Sequence, residues 1–349
     1  MATRIRLLSL LLLAAGCHSA ALPNVPLAYV SDELSDAIIV IDPAAARVVA
    51  RIPVGKRPRG LVLSPEGRKL YVALSGSPIG GFGVDEKTLP PPDRKADGVA
   101  VIDVASRKVE RVLPAGPNPE SVAISRDGMT LYVSNQDAAT LSVYDLDKNV
   151  LRARVHVGAE PSGIAVRNDG AYVFVAAQAA NSVYVIDAVT LKVVATVPTS
   201  ARPRAIIIAD EIGGAFIADE AGHDLTMFDT TSYAPRGPLA LHLDSPMPSG
   251  PRPVAGVLSP DGKQLYVVTG RGGSVAIIDV MTKKQTRSID GVGDRPSGIA
   301  ISADDTRLYT ANGTSHDVSI VNIASGNVDK RIVVGGLPWG VVLSRIPNS

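Results

Sequence analysis

The chain has 349 residues, 35 basic against 34 acidic side chains and 46% hydrophobic content, so it has material for a sizeable core and no disordered composition. Aromatic residues make up only 4%, which argues against a nucleic-acid surface built on stacking faces. No CxxCH, HExxH, Walker loop or GxSxG occurs, which excludes the commonest covalent-haem, zinc-protease, nucleotide and serine-hydrolase signatures.

Residues 1–16 read as a signal peptide, with Arg4 and Arg6 ahead of the apolar run LLSLLLLAAG, too short to span a bilayer as a helix. The lone cysteine, Cys17, follows directly. AAGC resembles a bacterial lipobox, although Ala14 stands where Leu is usual; cleavage near residues 19–21 is the alternative. The resemblance implies a lipid on Cys17, and His18 after it implies the periplasmic face of the outer membrane. Removing residues 1–16 takes two arginines and no acid, leaving 33 basic against 34 acidic side chains. No second cysteine remains for a disulfide, so an exported fold must stand on packing. Residues 17–26 read as a linker and residues 27–349 as one domain, expected to be a monomer.

From residue 27 the chain repeats itself. LAYVSDELSDAIIVID (27–42) begins in mid-pattern, and then one phrase recurs: SPEGRKLYVA from Ser64, SRDGMTLYVS from Ser125, RNDGAYVFVA from Arg167, SPDGKQLYVV from Ser259 and SADDTRLYTA from Ser302. A proline precedes each copy, at Pro58, Pro119, Pro161, Pro203, Pro253, Pro296 and Pro338, spaced by 61, 42, 42, 50, 43 and 42 residues. A second marker, the polar residue closing an apolar run, falls at Asp42, Asp103, Asp145, Asp187, Asp229, Asp279 and Asn322. Both count seven. Each repeat holds four short β-type runs, which predicts an all-β, seven-bladed propeller of four-stranded antiparallel blades. Asp-Gly at 127, 169 and 261 is expected to supply the positive φ angles of a tight hairpin. The last repeat stops after its first strand and the chain begins with a second strand, so N-terminal strands are expected to pair with the C-terminal one and close the ring.

LYVSN (131–135), AYVSD (28–32), LYTAN (308–312) and RIPVG (51–55) together resemble the YVTN-type β-propeller repeat family, over residues 27–344. The resemblance implies the propeller fold; it leaves function open, because the family includes surface-layer and exported proteins of unknown role, and related propellers bind haem or hydrolyse lactones.

A residue present in every blade serves the fold, so function is sought in departures from the repeat. The closing Asp of each third strand is read as a turn former. Gly60, Ser121, Gly163, Ala205, Ala255, Gly298 and Gly340, two residues after each proline, are all small, as strands converging on an axis require. The positions flanking the prolines vary: Arg57, Asn118, Glu160, Arg202, Arg252, Arg295 and Leu337 before them, Arg59, Glu120, Ser162, Arg204, Val254, Ser297 and Trp339 after them. Six arginines against two glutamates give +4 around one mouth of the channel. This ring is the candidate binding site for an anionic small molecule or an acidic patch on a cell-envelope partner. Arg202 and Arg204 are expected to be dispensable for stability, and Glu120 and Glu160 to make one side unfavourable. Trp339, the single tryptophan, reads either as a contact or as a plug for the closing blade. The insertions at 76–97 and within 234–253 open on the same rim.

The competing reading is a metal-dependent lactonase or hydrolase using Glu120, Glu160, His223 and His316. A haem-carrying propeller is the third. His223 and His316 occupy a position where other blades place Asp36, Asp97 and Asn181, which favours turn formers. The leading expectation is a non-catalytic binding protein without cofactor, reaching a membrane only through the lipid on Cys17.

Overall fold

A computed structural model describes residues 26–80, 85–244 and 249–344. Residues 1–16, read above as a signal peptide, and Cys17 lie outside the described residues. Seven four-stranded antiparallel sheets form a ring. Blade 1 carries the join: strands 28–32, 37–42 and 47–53 are completed by Pro338–Leu343, paired as Ala28↔Leu343, Tyr29↔Val342 and Val30↔Val341. Leu27 N–H donates to Ser344 Oγ at 2.8 Å and Ser344 N–H returns a bond to the Leu27 carbonyl at 2.8 Å. Blades 2 to 7 follow in chain order, their innermost strands starting at or just after Pro58, Pro119, Pro161, Pro203, Pro253 and Pro296.

The apolar patterning follows from burial on both faces. The second and third strands of a blade touch a neighbour on each side, so AIIVID (37–42) is buried throughout, whereas RVVARIP (47–53) at the outer edge is mostly exposed or half-buried. The core is therefore divided into layers, one between each adjacent pair of blades. Ile39 and Ile41 of blade 1 meet Tyr309 and Ile320 of blade 7, and Tyr29 and Val40 meet Val72 and Ile102 of blade 2. Around the axis the small residues are obligatory. A Cβ on Gly60 would lie 2.6 Å from Ser121 Cα, one on Gly163 2.4 Å from the Arg204 carbonyl, and one on Gly298 2.8 Å from Gly340 Cα.

Turns on the far face use side-chain caps. Asp42 accepts from the N–H groups of Ala44 and Ala45, Asp187 from Val189 and Thr190, Asp229 from Thr231 and Ser232, and Asn322 from Ser325. The Ser106 N–H and hydroxyl, with Lys69, hold the Asp103 carboxyl at about 2. In the first-to-second strand hairpins only the glycine of each Asp-Gly pair takes a positive φ, 74° at Gly128, 73° at Gly170 and 71° at Gly262. The aspartate instead works through its side chain, as where Ser125 Oγ and Met129 N–H both donate to Asp127 Oδ1. Blade 7 has Asp305 at the glycine position, with φ 56°.

Among the described residues no helix is long and apolar enough to cross a membrane. The closure by Pro338–Leu343 carries a direct prediction. Deleting residues 338–349 leaves the edge of strand 28–32 unpaired and opens the ring, and should lower the unfolding midpoint by about 10 °C or more, or abolish cooperative melting. A truncated protein that melts cooperatively within a few degrees of the parent contradicts the closed ring.

Candidate functional site

Each blade offers three positions to the mouth: the residues before and after the marker proline, and the residue that follows the second strand. The last set, Glu33, Ser75, Gln136, Gln178, Glu220, Thr269 and Gly313, is fixed beside the first by the backbone. The N–H groups of Glu33, Gln136, Gln178, Glu220 and Gly313 each donate at 3.0 Å to the carbonyls of Leu337, Asn118, Glu160, Arg202 and Arg295. Arg57, Asn118, Glu160, Arg202 and Arg295 hold left-handed backbone, with φ between 48° and 65°, a geometry that non-glycine residues adopt at a cost.

The arginines are drawn into a chain of ion pairs. Glu33, 5% exposed, takes Arg57 Nε at 3.6 Å and Arg59 Nε at 3.1 Å. Glu120, 1% exposed, pairs closely with Arg59 Nη1 and receives Arg204 Nη2 at 3.5 Å. Arg204 also donates to Gln178 Oε1 at 3.0 Å. Glu220 faces Arg202 at 3.3 Å, Arg204 at 3.9 Å and Arg252 at 4.0 Å. Burial pushes the Glu220 carboxyl up, but Arg204, Arg202 and Arg252 outweigh it and hold it below the ordinary carboxylate value. Burial, with the charge of Arg59, pulls the Arg57 guanidinium below its usual value. Arg57 Nη1 further donates to the carbonyls of Ser77 and Pro78, so the 76–97 insertion folds onto this side of the rim.

These contacts correct the sequence reading in three places. Glu33 and Glu220 join Glu120 and Glu160, so six arginines face four glutamates and the mouth carries +2. Glu120 does not repel a ligand from one side; it is the shared counter-ion of Arg59 and Arg204. Arg204 is an internal partner, with a side chain only 18% exposed. Glu160 remains on the surface, 4.0 Å from Arg202. Glu33 and Glu220 were recoverable from the repeat, since each directly follows a second strand.

The other side of the rim differs. Arg252 reaches Glu220 only at 4.0 Å and its Nε has no partner among the described residues. Arg295, on the next blade, is exposed, and no described residue pairs with its side chain. Trp339 follows, half-buried, with the Arg59 guanidinium 5.7 Å from its ring centroid. Below the rim lies a cavity of about 260 Å³ whose lining includes Gly60, Glu120, Arg204, Ile206, Ser297 and Trp339.

His223 and His316 do not line this cavity. Each sits in a second-to-third strand turn with φ of 62° and 60°, and each Nδ1 meets a carbonyl, Pro251 at 2.6 Å and Gly336 at 2.5 Å. The metal set Glu120, Glu160, His223 and His316 is thus not assembled, and no group of three or more His, Cys, Asp or Glu suited to a metal occurs among the described residues.

Known proteins resemble the chain in part and in shape. The family model of the Cytochrome D1 heme domain matches residues 92–207. A stretch of 138 residues is 28% identical to Antigen Lp49 of Leptospira interrogans serogroup Icterohaemorrhagiae serovar copenhageni, covering 31% of this chain and 30% of that protein. The matched region thus spans less than a third of that relative. Among solved structures, Hydrazine Synthase of Kuenenia stuttgartiensis superposes with a TM-score of 0.70 at 18% identity, covering 86% of this chain and 92% of that one. A protein of Bacteroides uniformis provisionally described as a 6-phosphogluconolactonase gives 0.69 at 17% identity, covering 91% and 99%. A functionally unknown protein of Desulfotomaculum acetoxidans gives 0.73 at 14%, covering 91% and 98%. At these identities the likeness shows the fold.

A haem in the channel would need an axial donor. The lining offers no His, Met, Cys or Tyr side chain, and the inner strands stand in near backbone contact at Gly60, Gly163 and Gly298. These residues do not fit an axially ligated haem.

Glu120→Gln tests the ion-pair chain. It keeps the shape but leaves Arg59 and Arg204 short of a buried counter-charge, and should cost about 3 kcal/mol in denaturant unfolding. Arg295→Ser should stay within about 0.5 kcal/mol of the parent. Equal, small effects would show that the pairs are solvated ornaments of the surface.

Proposed function

We propose that this protein is an exported, lipid-anchored propeller that binds an anionic small molecule, or an acidic patch on a cell-envelope partner, on the arc of the mouth formed by blades 6 and 7, without catalysis. The observation that carries the reading is the contrast within one ring. Arg57, Arg59 and Arg204 are committed to Glu33, Glu120 and Glu220, Arg252 meets Glu220 alone, at 4.0 Å, and on the next blade Arg295 is exposed, its forked donors paired with no described residue. A mouth of +2 on a nearly neutral body steers anions towards those two residues. Export rests on residues 1–16 and Cys17, and the description of the partly matching Leptospira protein as an antigen is in keeping with it.

The test is calorimetric titration of the mature protein with citrate and with inorganic phosphate, at low and high salt, beside the Arg252→Ser/Arg295→Ser double variant. The parent should bind at least one probe, with affinity falling about tenfold in the variant and the salt dependence flattening. Equal binding by the two proteins would displace the site, and no binding of either probe would remove the small-anion reading. In cells the parent should fractionate with membranes and Cys17→Ala should not; a parent found wholly soluble contradicts the anchor.

A further inference from the structure

In each blade the last residue of the second strand stands opposite the first residue of the third. Blade 7 pairs Asn312 with Asp317, and the Asn312 amide donates to Asp317 Oδ1 at 2.6 Å, to Ser319 Oγ at 3.0 Å and to the Val292 carbonyl at 3.0 Å. Blade 3 pairs Asn135 with Thr140, and the amide donates to Thr140 Oγ1 at 3.3 Å and Ser142 Oγ at 3.0 Å. Blade 5 has Asp219 opposite Asp224, with Thr226 at the serine position. The amide that supplies the donor in the other two blades is replaced by a second carboxyl.

The surroundings supply donors to only half of this pair. Thr226 N–H donates to Asp219 Oδ2 at 3.0 Å and Ser200 Oγ to Asp224 Oδ2 at 2.9 Å. Asp219 is 0% exposed, and Oδ1 of each aspartate is buried without a hydrogen-bond partner among the described residues. Two ionised carboxylates facing each other here would carry an uncompensated like charge in a low-dielectric site.

We propose that Asp219 and Asp224 hold one proton between them in the folded protein, standing in for the amide hydrogen that Asn312 gives Asp317, and that blade 5 loosens when rising pH removes it. Burial, and among the raising causes next the charge of Asp224, push the Asp219 carboxyl up to about 7 against bonds from Thr226 and Thr199, and burial pushes Asp224 up despite the Ser200 hydroxyl and the charge of His223. The other charged groups near the pair are His223, which precedes Asp224, Glu220, which follows Asp219, and Arg202, next to Pro203, the register partner of Asp219 on the first strand. The 199–200 link presents hydroxyls, and blades 4 and 6 pack apolar side chains on these strands. A group held protonated by the fold contributes its stability fully below the ordinary Asp value near 4 and loses it as pH rises through about 7. Glu220, which gathers Arg202, Arg204 and Arg252, is the next residue, so the loosening falls directly beneath the mouth.

The experiment is denaturant unfolding of the mature protein at pH 5, 6, 7 and 8, beside Asp219→Asn, which restores the residue type of blades 3 and 7. Between pH 5 and 7 the parent's unfolding constant should rise about tenfold per pH unit relative to the variant, one proton's worth. Asp224→Asn, which offers Asp219 an amide donor, should flatten the profile in the same way and covers the case in which the first variant folds poorly. Infrared spectra at pH 6 should show a protonated carboxyl band in the parent that both variants lose. Parallel pH profiles, absence of that band, or a parent profile that shifts on adding calcium would overturn the proposal, the last by assigning the pair to a cation.

Discussion

Everything in this molecule depends on how closely seven inner strands can approach one axis. At Gly60, Gly163 and Gly298 the next strand's backbone occupies the place of a Cβ, so the side chains two residues beyond the marker prolines cannot grow without opening the ring. Their neighbours towards the rim are released from that limit and fan out over the mouth. The fold thus creates a ring of positions where sequence is free, and it does so seven times over. Closure by the C-terminal strand completes the ring rather than decorating it, because Pro338–Leu343 is both the inner strand of blade 1 and a neighbour of those in blades 2 and 7.

Charges placed on such a ring are too close together to ignore one another, and several of them, Glu33, Arg59 and Glu120, are buried. On the side of blades 1 to 5 the chain answers with counter-charges: Glu33, Glu120 and Glu220 alternate with Arg57, Arg59, Arg204 and Arg202. Buried pairs of this kind add little net stability over apolar packing but cost several kcal/mol when one member is removed. They fix where the rim side chains lie. Arg252 stands at the edge of this arrangement, 4.0 Å from Glu220, and Arg295 falls beyond it, which is where the proposed anion site lies. The 76–97 insertion rests on the committed side, through Arg57, Ser77 and Pro78.

The architecture was legible because it is repeated. Proline and aspartate markers count seven independently, and the incomplete last repeat announces the shared blade. The capping role of Asp42, Asp187 and Asp229 was legible for the same reason. Charge at the mouth was read from the residues flanking the prolines, but its partners were not, since Glu33 and Glu220 belong to a different strand and reach the rim only through the backbone bonds to Leu337 and Arg202. His223 and His316 illustrate the converse. Their equivalents Asp36, Asp97 and Asn181 already marked a turn position, and both histidines lie in second-to-third strand turns, with left-handed backbone at 62° and 60°. Asp219 was not singled out because a buried aspartate at a strand end looks ordinary in one dimension; its position opposite Asp224 is a property of register.

The central claim is that one arc of the mouth is locked and the other open to anions. Diffraction from crystals soaked in a heavy, strongly scattering oxyanion such as tungstate addresses it directly. The account predicts anomalous density at the guanidinium groups of Arg252 and Arg295, with none displacing Glu33 or Glu120 from Arg59. Density bridging Arg57, Arg59 and Arg204, with their glutamates swung away, or an empty mouth at saturating anion, would contradict it.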